Sequence, residues 1–413
     1  MTRRRVVVTG LGLISPTGNN VAQGWANVRD GVSGIGPVDS FDTTGFSTTF
    51  AGVVRDFDVT DYMSVKDSRK ADRFMHYGIA ACTEAFEDAG LTVPESDAHR
   101  FGVIMGSGIG GIDTIETNYE KYKRAGARRI SPFFVPGSIV NMISGHVSIK
   151  YGLTGLNLAL VTACATSAHC IGLAGRLISI GEADVILAGG AEYATTPLGI
   201  GGFASARALS TRNDDPAGAS RPWDRDRDGF VLSDGAGCLV LEDYERARRR
   251  GANIYAELIG SAMNGDAYHI TAPTEDGSGA DHCMRLALED AGVNAEDVDY
   301  VNAHGTSTPL GDIAETLAVK RTFGEHAKSL VISSTKSTTG HTLGAAGAIE
   351  ALFTVMAIRE GVVPPTINLE NQDPECDLYY TPNVALERDV RIALSNSFGF
   401  GGTNGTLVFR QPD

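Results

Sequence analysis

The chain has 413 residues, of which 42% are hydrophobic and 21% are charged, so it can bury a large core. Its formal net charge of −15 disfavours a general affinity for nucleic acid, and no apolar stretch is long enough to predict a membrane span. The six cysteines form no CxxC pair and no metal-ligand spacing, which predicts reduced thiols in a cytoplasmic protein without a metal site.

Strand-like runs alternate with helical patterns along the whole chain. Ten short apolar runs have β character, at 6–9, 101–105, 158–162, 184–188, 238–241, 255–259, 300–302, 330–333, 392–394 and 406–409. The first follows Arg3, Arg4 and Arg5 and lacks the longer apolar core of a signal peptide, so we expect a first strand there. Regular alternation of this kind predicts an α/β fold with mainly parallel sheets.

Two predicted helices, at 164–180 and 341–358, have no broad polar face. Both are rich in small and apolar residues, and Arg176 is the one strong charge of the first. A helix that is apolar nearly all round is usually buried, so we expect both helices to lie between two sheets. Their likeness suggests a duplicated architecture, which we divide into domains at 1–255 and 256–413.

Cys164 is the first candidate for chemistry, because it lies where an apolar strand turns into the first buried helix. Unpaired N–H groups and the dipole at a helix N-terminus favour a thiolate. The dipole contributes roughly 0.3–1 kcal/mol, up to about 2 when partly buried, which moves a thiol pKa by about one unit. A buried structural cysteine is the alternative on the local sequence, and it is the interpretation we favour for Cys170.

Two histidines follow apolar strands in loops of small residues, which is where α/β folds place active sites. His304 comes after the run at 300–302, and His341 begins the second buried helix. Either could instead be a hydrogen-bonded structural residue. Lys336 precedes that nearly uncharged helix, and Glu350 inside it would be costly to bury alone, so we expect Lys336 to be its partner.

Two glycine-rich loops could also bear on function. Phe400 lies in an aromatic and glycine loop at 398–405, for which a plain turn is the alternative. The segment 106–111 satisfies the dinucleotide fingerprint GxGxxG, but the region 20 residues on is basic and offers no acid for a ribose. We therefore disfavour dinucleotide binding.

Four segments together carry a resemblance to a known family. They are the turn at Cys164 and the segments 304–308, 336–341 and 396–404. In this order they resemble the β-ketoacyl-acyl-carrier-protein synthases, and the likeness runs from Val8 to the final strand. The resemblance implies a thiolase-like α/β fold, with two αβαβα halves in five layers, and a homodimer.

The subtype follows from which residues accompany the nucleophile. Cys164 with two histidines is the set of the elongating synthases of types I and II. Ile109 and the segments 201–210 and 221–230 resemble type II, whereas 168–172 resembles type I. The resemblance implies a type II enzyme.

The implied reaction is a decarboxylating Claisen condensation that elongates fatty acids without a resident cofactor. An acyl chain held on Cys164 reacts with malonyl-acyl-carrier protein to give 3-oxoacyl-acyl-carrier protein and CO2. His304 and His341 would form an oxyanion hole for the enolate, oriented by Lys336 with Glu350. The N–H groups of Cys164 and Phe400 would form a second oxyanion hole, and Phe400 would also act as a gate.

The resemblance also implies residues that bind the substrates. Ile109, Phe203 and Phe398 would line the acyl pocket, and Thr306 and Thr308 would bind the phosphopantetheine arm. A monovalent cation, as in some relatives, would lie in the region of the supporting residues, which are Asn302, Glu350 and Asn396.

The acidic acyl carrier protein would need a local basic patch on this acidic chain. Lys66, Arg69, Lys70 and Arg73 recur at i, i+3, i+4 and i+7, so a helix would place them on one face. An ordinary solvated face is the alternative on spacing alone. The family's docking site maps here and near Arg207, which favours a docking role.

Other interpretations of the chain remain open at this point. A type I synthase or a polyketide ketosynthase would use the same chemistry. A thiolase acting on coenzyme A thioesters would need a second cysteine where this chain has Phe398 and Phe400. A non-catalytic carrier-binding partner would lack the nucleophile, so Cys164 argues against it.

Overall fold

The computed structural model describes residues 3–413, and residues 1 and 2 of the predicted first domain lie outside that range. The strands are β1 Val6–Ile14, β2 Gly36–Pro37, β3 Phe50–Ala51, β4 Phe101–Gly106, β5 Asn157–Leu158, β6 Val185–Glu192, β7 Gly235–Asp243, β8 Ala256–Gly265, β9 Tyr300–Asn302, β10 Val331–Ser333, β11 Val362–Val363, β12 Leu386–Glu387, β13 Ile392–Gly399 and β14 Thr403–Arg410. All ten predicted runs overlap a strand, although the run at 158–162 is a strand only at Leu158.

Ten of these strands form one sheet in the order β10-β9-β13-β14-β8-β1-β7-β6-β4-β5. Within each half, counted from its own first strand, the order from the outer edge inward is third, second, fourth, fifth, first. The pairing directions also repeat, because the first two pairs of each half are parallel and the next two are antiparallel. The chain therefore contains two copies of one topology.

The prediction of mainly parallel sheets is wrong, since antiparallel pairs outnumber parallel ones. In each half the fourth strand is followed in the chain by the fifth strand, which lies beside it and runs antiparallel to it. For β13 and β14 that connection is the short glycine turn after Gly399. A two-residue ladder between β1 and β8 joins the two five-stranded halves, and each half forms one β layer. The division into domains at 255 and 256 remains a prediction.

Helices cover both faces of the sheet. They are α1 Val21–Arg29, α2 Val65–Ser68, α3 Arg73–Asp88, α4 Ile112–Ala125, α5 Phe134–Ser138, α6 Met142–Tyr151, α7 Thr166–Ser179, α8 Pro197–Ser205, α9 Tyr244–Arg249, α10 Ser278–Ala291, α11 Pro309–Phe323, α12 Lys336–Thr339 and α13 Ala346–Glu360. No helix within residues 3–413 is both long and apolar enough to cross a membrane.

The two apolar helices α7 and α13 form the central layer. They contact each other and strands of both halves, while α3 covers one outer face and α10 with α11 covers the other. Ile171, Ala174, Leu352 and Phe353 are among their fully buried side chains. The prediction that these two helices are buried is confirmed, and the five layers agree with the predicted thiolase-like architecture.

Each central helix begins after a three-residue 3-10 turn. The turns are Ala163–Ala165 before α7 and Leu343–Ala345 before α13. In both, the first residue has a positive φ, 50° at Ala163 and 47° at Leu343, although neither is glycine. A non-glycine residue in this conformation costs roughly 1–2 kcal/mol, so the surrounding structure must hold both turns. Cys164 and Gly344 occupy equivalent positions in the repeat.

Candidate active site

A cavity of about 720 Å³ opens where the two 3-10 turns meet loops of the second half. Most of the predicted site residues line it. They are Cys164, His304, His341, Phe400, Ile109, Phe203, Phe398, Thr306, Thr308 and Arg207. Lys336, Glu350 and Asn396 are buried behind its wall, and Lys66, Arg69, Lys70 and Arg73 are not among its lining residues.

Cys164 lies in the turn just before α7, as the sequence predicts, and only 7% of it is exposed. The expected lowering of its pKa is wrong. Burial removes water from the thiolate and raises the pKa of Cys164 to about 12, against the opposing effects of the Lys336 ammonium and the Phe400 N–H. The resting group is a thiol, and those two groups are the ones that would stabilise a thiolate formed during reaction.

The two histidine rings face each other across the cavity. Their centroids are 5.4 Å apart and their planes are nearly perpendicular. Neither Nδ1 has a hydrogen-bond partner within residues 3–413, and the rings are instead held by packing, His341 against Phe230 and His304 against Phe398. Packing therefore fixes how both imidazoles are presented to the cavity.

Both imidazoles are neutral over a wide pH range. Burial lowers the pKa of His304 and of His341 well below the usual value, and the positive charge of Lys336 lowers it further. A neutral imidazole carries one N–H donor and one acceptor nitrogen. The pair can therefore donate hydrogen bonds to an oxygen that gains negative charge.

The two histidines are held by different parts of the chain. The prediction that His341 begins the second buried helix is wrong, because α13 starts five residues later, at Ala346. Instead, the backbone of His341 pairs with the extended segment 231–233, and its backbone N–H donates to Val231 O at 2.7 Å. His304 lies two residues after the end of β9, so it follows that strand as predicted.

Lys336 and Glu350 form a buried ion pair, which is the pairing expected from the sequence. Lys336 is 1% exposed and Glu350 is 2% exposed. Burial raises the pKa of Glu350 to about 7, and Lys336 opposes that rise. Removal of either partner would leave the other charge buried and uncompensated. The pair therefore holds the Lys336 ammonium group in place behind the cavity wall.

Two carboxylates that sequence reasoning did not single out hold the loop that carries His304. Glu315 Oε1 accepts the His304 N–H at 2.9 Å, and its Oε2 accepts the Gly305 N–H at 2.8 Å. Asp312 accepts the Ser307 N–H at 3.2 Å. Both lie one turn apart on α11 and both are buried. An acidic pair at i and i+3 directly after the histidine loop is the sequence signal that could have found them.

The side chain of Asn396 forms no hydrogen bond with Glu350 within the described residues. Its Nδ2 donates to Glu315 Oε1 at 3.3 Å, and its Oδ1 accepts from Thr406 at 3.0 Å. Alternate residues of a strand point to opposite faces of the sheet, so Ser395 and Ser397 lie on the face of β13 opposite to Asn396.

The Phe400 loop packs directly on the nucleophile. A Cβ on Gly399 would lie 3.0 Å from Cys164 N and 3.1 Å from Thr162 O, so this close approach requires glycine. Phe400 is 38% exposed, and its ring centroid lies 6.4 Å from that of Phe203. The loop thus forms a wall of the cavity that also reaches its opening.

The predicted basic helix face does not form. Helix α2 ends at Ser68, and α3 begins only at Arg73. Asp72, whose side chain caps α3 and accepts the Thr114 N–H, interrupts the periodicity. Lys66 and Arg69 are exposed, while Lys70 pairs with Asp67 at 2.7 Å. Arg73 is also exposed and donates to the Tyr193 hydroxyl at 3.2 Å.

The site thus combines one thiol with two neutral hydrogen-bond donors in a largely apolar cavity. A thiol that loses its proton during attack can form a covalent thioester. Imidazole N–H groups directed at one point can stabilise an oxyanion or enolate formed beside it. Acyl transfer followed by carbon–carbon bond formation fits this arrangement.

Comparison with known proteins identifies the same chemistry. The β-ketoacyl synthase N-terminal domain model matches residues 3–247, and the C-terminal domain model matches residues 255–370. Proteins named 3-oxoacyl-acyl-carrier-protein synthase 2 are 56% identical in Vibrio harveyi, over 100% of this chain and 99% of that protein, and 51% identical in Synechocystis, over 100% and 99%.

Solved structures agree in fold. A type II polyketide ketosynthase in complex with its acyl-carrier protein has a TM-score of 0.93 at 36% identity and covers 100% of both chains. A β-ketoacyl synthase from Burkholderia phymatum has a TM-score of 0.91 at 36% identity and covers 99% of this chain and 100% of its own. The chain belongs to the β-ketoacyl synthase family.

Proposed function

We propose that this chain is the elongating condensing enzyme of fatty acid synthesis, joining an acyl group on Cys164 to malonyl-acyl-carrier protein. The observation that carries the proposal is the single cavity in which Cys164 meets His304 and His341. Relatives at 50–56% identity are named 3-oxoacyl-acyl-carrier-protein synthase 2, and this supports fatty acid elongation over a polyketide ketosynthase.

In the first step, the Cys164 sulfur attacks the carbonyl carbon of an acyl thioester. A new C–S bond forms, the bond to the phosphopantetheine sulfur breaks, and the thiol proton goes to that leaving sulfur. The N–H groups of Cys164 and Phe400 stabilise the oxyanion, and Lys336 stabilises the sulfur as its proton leaves. The acyl chain then extends along Ile109 and Phe203.

In the second step, malonyl-acyl-carrier protein takes the place of the discharged carrier. His304 and His341 donate to the thioester oxygen as the malonyl carboxylate leaves as CO2, so the electrons of the broken bond are held as an enolate. The enolate carbon attacks the acyl-Cys164 carbonyl and the C–S bond to Cys164 breaks. The thiolate that leaves takes a proton from solvent, which restores the resting thiol. Thr306 and Thr308, whose hydroxyl oxygens are 3.0 Å apart, bind the phosphopantetheine arm.

The competing activities lack support from the cavity. A thiolase would need a second thiol, whereas Cys164 is the only cysteine among the described residues that line the cavity. A non-catalytic carrier-binding partner would have no use for a thiol there. Burial of the thiol next to Lys336 therefore favours catalysis over binding alone.

Acyl carrier protein docks, in this proposal, through cations on the surface of the first half. Arg207 is exposed at the end of α8 and lines the cavity. Lys66, Arg69, Lys70 and Arg73 extend the positive surface on another part of the first half. Local attraction is needed because both proteins are acidic overall.

We further propose that the chain works as a homodimer through the free edge of β5. Both β5 residues are exposed, and an unpaired edge strand is a template for pairing with another chain. Exposed apolar side chains are frequent in the segment 119–161 that contains it, namely Tyr119, Tyr122, Ile130, Phe133, Val135, Ile139, Ile149, Leu158 and Val161. Large exposed apolar surfaces are typical of protein interfaces.

The reaction as written needs no resident cofactor. In this proposal a structural monovalent cation lies beside Glu350, because four oxygens are buried without hydrogen-bond partners in the described chain, namely Glu350 Oε2, Asn302 Oδ1, Ser395 Oγ and Ser397 Oγ. Oxygen donors of this kind suit hard cations, and replacing potassium by a large organic cation should then lower the melting temperature.

In this proposal the protein works in the reducing cytoplasm, where six free, buried cysteines stay reduced.

Replacement of Cys164 by alanine should abolish covalent labelling by acyl-acyl-carrier protein and lower elongation by about 10⁴-fold or more, since the nucleophile is lost. Mass spectrometry of the labelled chain and a condensation assay measure the two effects. Cys170→Ala is the matched control, because Cys170 is also buried but does not line the cavity. Elongation by the Cys164 variant would contradict the assignment.

Replacement of Lys336 by methionine should move the acidic limb of the pH–rate profile to higher pH. Burial lowers the pKa of both histidines and the Lys336 charge lowers it further, so both stay neutral and active as the pH falls. Without its charge their pKa values rise, and activity is lost at a higher pH. Lys328→Met, at an exposed site, should leave the profile unchanged. An unmoved acidic limb in the Lys336 variant would refute this role.

Charge reversal at Arg69 and Lys70, both to glutamate, should weaken the binding of acyl carrier protein by about tenfold or more, the equivalent of about 1.4 kcal/mol. Calorimetry at several salt concentrations measures the effect, and wild-type affinity should fall steeply with salt. Reversal at Arg388 and Arg391 is the control. Affinity that ignores both salt and the Arg69 and Lys70 changes would exclude this docking surface.

Light scattering should give a molar mass of twice the 43.5 kDa of the chain. Leu158→Asp should shift it toward the monomer, because a buried unpaired charge at the interface is costly. Ile180→Asp, at another exposed apolar residue, should leave the mass unchanged. A monomeric wild-type chain would disprove the dimer, and a dimeric Leu158 variant would exclude the β5 edge.

A further inference from the structure

Glu192, at the end of β6, is a fully buried carboxylate that the mechanism above does not use. It accepts four hydrogen bonds from two separate segments. Oε1 accepts from Ser107 Oγ at 2.7 Å and from the Ile109 N–H at 3.0 Å. Oε2 accepts from the Gly108 N–H at 2.7 Å and from the Gly344 N–H at 2.9 Å.

All four partners act as donors. Three are backbone N–H groups, and the Ser107 hydroxyl donates to Glu192 while its oxygen accepts the Gly110 N–H at 2.9 Å. Two acceptor positions on each carboxylate oxygen are therefore filled. Within residues 3–413 Glu192 forms no ion pair with a lysine or arginine, so these donors alone compensate its burial.

The two segments meet around Glu192 more closely than side chains would allow. A Cβ on Gly344 would lie 2.2 Å from Gly108 N and 2.8 Å from Glu192 Oε2. A Cβ on Gly108 would lie 2.7 Å from Glu192 Oε2. Glycine at both positions lets one carboxylate reach both backbones.

Both segments are also walls of the cavity. Gly108 and Ile109 line it on one side, and Leu343, which precedes Gly344 and has a positive φ, lines it on another. The Leu343–Ala345 turn is the repeat of the turn that carries Cys164. A shift of either segment would therefore change the space beside the nucleophile.

We propose that Glu192 is a positioning residue that determines acyl-chain selectivity by holding the Ser107–Gly110 wall against the Leu343–Gly344 turn. The proposal rests on the acyl-holding role of the cavity. Glu192 reaches no reacting atom in it and acts through Ile109 and Leu343. Selectivity is then set by the spacing of two backbone segments as well as by the side chains that face the acyl chain.

Glu192→Gln tests this inference, because a glutamine of the same shape has only one acceptor oxygen. With the NH2 at the Oε2 position, the Gly344 N–H loses its acceptor and that turn is released, and with the NH2 at the Oε1 position, the Ile109 N–H loses its acceptor. We expect the ratio of acylation rates of Cys164 by long and short saturated acyl-acyl-carrier proteins to change by about tenfold, the equivalent of about 1.4 kcal/mol. Ser107→Ala removes a single donor and should change the same ratio by less.

Glu242→Gln is the matched control, because Glu242 is also fully buried and hydrogen-bonded, but its partners Thr9, Arg246 and Arg250 do not line the cavity. Its variant should leave the ratio unchanged even if the melting temperature falls. A ratio unchanged in both Glu192→Gln and Ser107→Ala, or unchanged in Ser107→Ala with Glu192→Gln unfolded, would overturn the inference. Wild-type protein that fails to acylate Cys164 would overturn the proposed function and this inference together.

Discussion

Burial of Cys164, His304 and His341 beside the buried charge of Lys336 is the constraint on which the rest of the site depends. Water is excluded from Cys164, His304 and His341, and that exclusion alone would keep all three groups uncharged. Lys336 then acts on them in opposite senses, since it keeps the imidazoles neutral but favours a thiolate on Cys164. One buried ammonium, balanced by Glu350, therefore prepares a nucleophile and two donors at once.

The duplicated topology explains how these groups reach one cavity. Each half places a 3-10 turn at the head of a central helix, and the two helices pack against each other, so the turns are neighbours. One turn carries Cys164, and its repeat carries Gly344, whose N–H is held by Glu192. The histidines come from loops beside the second turn. The halves are alike in backbone and different in chemistry.

Much of this could be predicted from the sequence, and the exceptions have physical reasons. The alternating runs, the two buried helices and the resemblance gave the fold, and most of the predicted residues line the cavity. The predicted lowering of the Cys164 pKa is wrong because the local sequence shows the helix terminus but not the burial around the thiol. The predicted continuous basic helix is wrong because Asp72 caps a new helix at Arg73 instead of lying inside one that continues from α2. Glu192 and Glu315 were missed because their partners are backbone N–H groups of distant segments, which no side-chain motif records.

The most direct test of this account is the protonation state of His304 and His341, measured by nitrogen NMR of histidine-labelled protein with assignments from single His→Asn variants. Both rings should be neutral at a pH of about 6.5, which is the ordinary pKa of histidine, and should stay neutral well below that pH. An imidazolium at either position at that pH would contradict it, because burial and the nearby Lys336 charge could not then be the forces that set the site.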